Sequence, residues 1–294
     1  GCSRYAELHC TTNFSFLQGG SHPEELVSQA ASLGYAALAI TDRVSLSGVV
    51  RAHAAAKEVG IHLVIGAVVE PIDAAPLVLW ATNKKGYQNL CRLLTSGLLK
   101  QCCSKKSEEI DGSDVRDHDP RCLLTADEVA AHTDGLLAGL PLSQLRGSFE
   151  SAVVSIRAWQ DRLGKQLYGL AEVAMEGDDQ ECLANYARLT SQTHIPLVAA
   201  GDVRYHSRDR QPLHDALAAV RYGRTVESIQ VKLLSNCERH LQDMKQVVES
   251  FSILPGAVDR TLEIASRCTF SLDDISYEYP HAVVPSGWLS LIHI

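Results

Sequence analysis

The sequence is defined first by what it lacks. No C-x-x-C pair occurs among its nine cysteines, so they offer no closed metal site. No G-x-G-x-x-G follows the first β-rich run, which disfavours a dinucleotide site, and Gln18-Gly19-Gly20 alone reads as a turn. No G-x-S-x-G elbow surrounds Ser15, Ser45 or Ser47, so nothing marks a nucleophilic serine. Apolar runs such as 35–41 and 196–200 are five to eight residues long, against the roughly 20 that span a bilayer, and no membrane span is expected. Basic excess is missing too: 27 Lys and Arg against 35 Asp and Glu leave a net charge of −8, which excludes a chain-wide nucleic-acid-binding face.

What is present is enough apolar material, 46% of 294 residues, for one large or two ordinary domains at roughly 150 residues each. The cysteines are odd in number and scattered, and no apolar leader opens the sequence, so a reduced, cytoplasmic setting is expected. Short β-rich runs (5–9, 36–41, 61–69, 77–82, 135–140, 167–173 and 196–200) alternate with segments of helical period (23–33, 46–59, 85–99, 126–132, 149–163 and 179–193). Pro23 with Glu24 and Glu25 suits a helix start, and Gly34 and Gly60 suit helix stops. Alternation at this spacing predicts a mostly parallel α/β sheet, either open and doubly wound or closed as a barrel. Residues 101–121 carry six acidic and four basic side chains with few apolar ones, and a mobile loop is expected there. After residue 207 helical segments (210–222, 241–249 and 257–268) follow without clear strands, predicting a small helical extension to about 287; 288–294 reads as a non-native tail.

In parallel α/β architectures the loops after the strands converge on one face. His9, Asp42, Arg43, Asp202, Arg204 and His206 all follow strands and form a candidate site, of a kind that can hold Zn²⁺ or Mn²⁺ and activate water against a phosphoester. Against this stand structural roles, and for Asp42 the expected one is capping the helix that follows.

The run Tyr5-Ala-Glu-Leu-His-Cys-Thr-Thr-Asn-Phe-Ser-Phe-Leu-Gln-Gly-Gly-Ser-His-Pro-Glu-Glu-Leu26 resembles the start of the bacterial error-prone DNA polymerases, C-family enzymes related to the α subunit of DNA polymerase III. The resemblance continues through the stretches 34–42, 48–53, 86–93, Gly201-Asp-Val-Arg-Tyr-His206, Asn236-Cys-Glu-Arg-His-Leu241 and 277–280. It implies a polymerase-and-histidinol-phosphatase (PHP) domain, a distorted barrel of seven β/α units, over 1–207, with the helical extension over 208–287 leading towards an absent palm domain.

Relatives with a full site bind metal through a His-x-His pair, an acidic residue, a histidine after Thr-Asp, a glutamate after Gly-x and an Asp-x-His. Carried over, those positions are His9, Thr11, Gln18, Arg43, Val68, Asp202 and Arg204, of which only His9 and Asp202 remain as possible metal ligands. Glu70 lies two residues beyond Val68, on the same strand face but about 7 Å farther on. Arg43 and Arg204 bring fixed positive charge to a cation site, where either could pair with Asp202. The expectation is a degenerate site without resident metal, in a structural platform for damage-induced translesion synthesis. Mg²⁺, DNA and deoxynucleotides, with the sliding clamp and accessory mutagenesis proteins, are then matters for the rest of the polymerase. The competing reading is a stand-alone metal-dependent phosphoesterase or 3′–5′ exonuclease on the same barrel.

Overall fold

The structure, a computed structural model, describes residues 4–104, 122–145 and 147–275. Seven strands stand side by side in chain order: β1 (Ala6–Glu7), β2 (Ala37–Arg43), β3 (His62–Val69), β4 (Leu77–Ala81), β5 (Leu136–Pro141), β6 (Leu167–Glu172) and β7 (Leu197–Ala200). All neighbours are parallel except β4, which runs antiparallel to β3 and to β5. The reason is the short link at 70–76, which leaves no room for a crossover helix, so β3 must turn back on itself.

The helices are α1 (Pro23–Ser32), α2 (Val49–Val59), α3 (Lys84–Ser104), α4 (Ala126–Ala130), α5 (Phe149–Leu163), α6 (Asp179–Thr193), α7 (Gln211–Tyr222), α8 (Met244–Ser250) and α9 (Pro255–Arg267). Pro23 opens α1, where the Glu25 carboxylate accepts the His22 N–H at 2.8 Å, and Gly60 ends α2 at φ 73°. Residues 101–104, expected in the loop, instead form the last turn of α3. No proline or glycine interrupts the chain between Gly97 and Gly112, and each further residue adds a helical hydrogen bond. The rest of that loop, 105–121, and the tail 288–294 lie outside the described residues.

Alternate strand residues face inward. Ala6, Ala39, Val68, Trp80, Leu170 and Val198 belong to one buried cluster inside the barrel, while the opposite faces pack beneath the helices. Trp80 fills the centre and donates its indole N–H to the Leu8 carbonyl at 2.8 Å. Gly139 makes room for it, since a Cβ there would lie 2.5 Å from the Trp80 ring. Among the described residues after 207 lie α7, α8 and α9, and α9 with the residue that caps it adds Ile264, Ala265 and Cys268 to the interior cluster at the amino ends of the parallel strands.

The barrel has a seam. Between β1 and β7 no strand ladder forms; past the strand ends, an isolated parallel bridge joins Cys10 to Val203. At that bridge Val203 accepts the Thr11 N–H and donates its own to the His9 carbonyl, both at 2.9 Å, and elsewhere along the seam side chains take the edge groups. The buried Glu7 carboxylate accepts the His9 N–H at 2.9 Å, the Gly201 N–H at 3.1 Å and the Tyr5 hydroxyl at 2.8 Å. Thr261 of α9 takes the Ala6 N–H at 3.2 Å, and Arg260 donates to the Leu197 carbonyl. Burial pushes the Glu7 carboxyl above its ordinary pKa even against these hydrogen bonds. Glu7→Ala orphans one buried and one half-buried backbone donor and a hydroxyl and is expected to cost about 3 kcal/mol in urea unfolding, with Glu7→Gln intermediate. A Glu7→Ala protein as stable as the parent would mean that the seam needs no side-chain acceptor.

Candidate functional site

At the carboxyl ends of the parallel strands β1, β6 and β7 three acid–base groups meet. His9 follows β1, Glu172 ends β6, and Asp202 follows β7. The His9 ring is 2% exposed and lies between the two carboxylates: Nδ1 is 2.9 Å from Glu172 Oε1 and Nε2 is 3.8 Å from Asp202 Oδ1. Ser143, in the turn after β5, donates its hydroxyl to Glu172 Oε2. Asp202 sits in the left-handed region at φ 43°, a cost that a short polar side chain bears better than most. Just before it, Gly201 lets the Glu7 carboxylate approach its N–H closely, since a Cβ there would lie 2.8 Å from Oε2.

Two guanidiniums complete the cluster. Arg204 lies 2.7 Å from Asp202 Oδ1, and Arg239, from the segment between α7 and α8, lies 3.2 Å from Oδ2. Burial disfavours the charged Asp202, yet Arg204, His9 and Arg239 together hold its carboxyl below the usual carboxylate range. For His9 burial likewise opposes charge, and Asp202 with the Glu172 hydrogen bond outweighs it, so the imidazole is raised above its ordinary value.

The cluster is thus smaller than the candidate set in one direction and larger in another. His9, Asp202 and Arg204 come together, and Arg204 does pair with Asp202. Arg43 does not: its Nε and Nη2 grip Glu70 at 2.7 and 2.6 Å, because β3 is the neighbour of β2 while β7 lies beyond β1. Asp42 is not a helix cap, since Gly48 occupies the position before α2. Its buried carboxylate instead accepts from Thr12 N, Thr12 Oγ1 and Ser15 Oγ at 2.7–2.8 Å, fastening the β1–α1 loop. His206 bonds Ser21 Oγ at 2.7 Å, away from His9. Thr11 is buried and donates its N–H to Val203 at 2.9 Å. Gln18 donates its N–H to Ser15 at 2.9 Å within the same loop, and Val68 faces the barrel interior.

Glu172, Ser143 and Arg239 were missed. A lone carboxylate closing the apolar run Leu-Tyr-Gly-Leu-Ala-Glu172 was the available signal for the first, and Arg239 lies inside one of the recognisable stretches, without an assigned role.

Chemically, His9, Glu172 and Asp202 are the groups here that could ligate a cation. They do not fit one well: both Asp202 oxygens already face guanidiniums, whose charge is permanent at ordinary pH. Among the described residues no group of three or more His, Cys, Asp or Glu side chains has metal-binding geometry. No helix among them is long and apolar enough to cross a membrane.

Comparison with known proteins places this architecture. A barrel of this type also appears in an amidohydrolase from Chromobacterium violaceum, solved with bound sulfate and no metal, at a TM-score of 0.52 over 70% of this chain and 89% of that one; at 16% identity the likeness concerns the fold alone. The PHP domain model matches residues 7–173, and the chain belongs to the PHP domain family. It is 40% identical over 99% of its length to the error-prone DNA polymerase of Rhodopirellula baltica, and 41% identical over 96% to that of Bordetella parapertussis. The chain spans about a quarter of the length of these curated relatives, 25% and 26%.

The charge cluster predicts a histidine titration pattern. In an NMR titration His9 is expected to titrate above the ordinary value of about 6.5, whereas His206, His214 and His240, all lowered first by burial, titrate below it. Stability contributed by His9 is full below its unfolded pKa and is lost as pH rises through its folded one. That contributed by Asp202 is full above about 3.9 and is lost as pH falls through its depressed value. Asp202→Asn is expected to bring the His9 titration down.

Proposed function

We propose that this chain is the structural platform of an error-prone DNA polymerase, acting in the cytoplasm in damage-induced translesion synthesis, and that its barrel mouth works without a resident metal. The observation that carries the second part is the pair of guanidiniums on Asp202, which supply the positive charge that a cation would bring. The first part is supported by the PHP match and by the polymerase relatives that share nearly all of this chain. On this reading nucleotidyl transfer, with its Mg²⁺, DNA and deoxynucleotides, belongs to the three quarters of the relatives that this chain does not span. Contacts with the sliding clamp and with accessory mutagenesis proteins belong there as well.

The barrel mouth then has three roles for its own residues. His9 bridges the carboxylates that end β6 and follow β7, Arg204 and Arg239 balance their charge, and Ser143 fixes the remaining Glu172 oxygen. None of these groups is left in the state expected of a general base facing an open cleft.

The test is metal content after purification from Mn²⁺- and Zn²⁺-supplemented medium, with hydrolysis of a generic phosphodiester measured in parallel. Substoichiometric metal and no hydrolysis are expected. One equivalent of tightly held Mn²⁺ or Zn²⁺ that disappears in His9→Ala would shift the assignment to a metal-dependent phosphoesterase or 3′–5′ exonuclease.

A further inference from the structure

Arg239 reaches the barrel mouth from a segment that lies outside the PHP match at 7–173 and within the stretch shared with the polymerase relatives. That segment crosses the carboxyl ends of β6 and β7. Asn236 Nδ2 donates to the carbonyls of Ala174 and Met175 at 2.7 and 2.9 Å, just past β6. The Arg239 carbonyl accepts the N–H groups of Arg204 at 2.8 Å and Tyr205 at 3.3 Å, just past β7, and Tyr205 forms a parallel bridge with His240. Leu241 is buried in the main core, and the Gln242 carbonyl accepts the Tyr35 hydroxyl at 2.7 Å. The strand-like strap 236–242 therefore links the mouth to the main core and leads on to α8 and α9, which closes the seam.

Neutral hydrogen bonds, one leucine and, on the outer side, the ion pair of Glu238 with Arg208 fix the strap along its length. Its only guanidinium is turned inward, 14% exposed, onto a carboxylate that carries a second guanidinium on its other oxygen. Placing two cations on one aspartate is worthwhile because Glu172 adds a second negative charge through His9. We propose that the acidic cluster at the barrel mouth is the socket for Arg239, latching the strap to the barrel. The mouth then couples the barrel to the chain that follows it, in place of binding a diffusible ligand. This rests on the metal-free reading of the site. Arg239 is a positioning residue: it acts by holding the strap.

Hydrogen exchange of the parent chain and its variants tests the latch. Arg239→Met is expected to speed exchange of the 236–246 amides about tenfold, the scale of one contact within a coupled charge network, with β2–β5 unchanged. Asp202→Asn is expected to do the same, and the double variant to exceed neither single one by much, as for two partners in one interaction. Arg239→Lys keeps the charge but not the planar fork and is expected to fall between Arg239→Met and the parent; it also serves if the methionine variant fails to fold. Strap amides as protected in Arg239→Met and Arg239→Lys as in the parent, or fully additive effects of Asp202→Asn and Arg239→Met, overturn the latch. Stoichiometric metal in the parent would remove the metal-free reading beneath it, whereas an unresponsive strap in a metal-free parent removes this inference alone.

Discussion

The seam between β1 and β7 is the constraint on which the rest of the molecule depends. A sheet that curls through seven strands but does not pair its last strand with its first leaves two edges inside the protein, and buried edge groups must find partners. Here the partners come from far away in sequence. The Glu7 carboxylate takes one N–H from its own strand exit and one from the exit of β7, while Thr261 and Arg260 of α9 serve the amino ends. Glu7 takes the N–H of Gly201, and the next residue, Asp202, stands in a left-handed conformation facing His9. The charged cluster thus begins one residue beyond the seam's own hydrogen bonds.

That cluster is balanced by permanent charges. Two carboxylates and a histidine at a barrel mouth are chemically suited to a divalent ion, and the arginines change what the same geometry can do. A guanidinium cannot polarise a bound water or accept a lone pair, but it offers fixed, directional donors to a carboxylate. On the proposed metal-free reading, the guanidiniums give the strand ends the electrostatic support that a cation would otherwise supply.

Most of the architecture was legible in the sequence because the two periods, two for strands and near 3.6 for helices, are cleanly separated by turns. All seven strand segments and the helices between them fall close to their expected ranges. The direction of β4 follows from a link too short for a helix. The site was harder to read, since it depends on which loops meet. Arg43 and Arg204 look equivalent in the sequence, both being arginines near strand ends, yet strand order sends one to Glu70 and the other to Asp202. Asp42 precedes a helix and looks like a cap, but it lies in β2 with its side chain buried against the β1–α1 loop. Arg239 comes from a segment of low regular structure, where neither period applies and only the folded chain shows what the side chain reaches.

The hydrogen bond from Ala6 to Thr261 joins residues 255 positions apart, and it bears on how the protein is made. At about 5–20 residues per second, synthesis takes some 13–50 s to travel from one partner to the other. Through that interval β1 has emerged while the helix that serves its edge has not. A nascent barrel waiting in this state exposes a pairing-competent strand edge and the apolar interior that α9 later covers. Its safe passage off the ribosome depends on speed of elongation or on a chaperone's shelter as much as on the contacts of the finished fold.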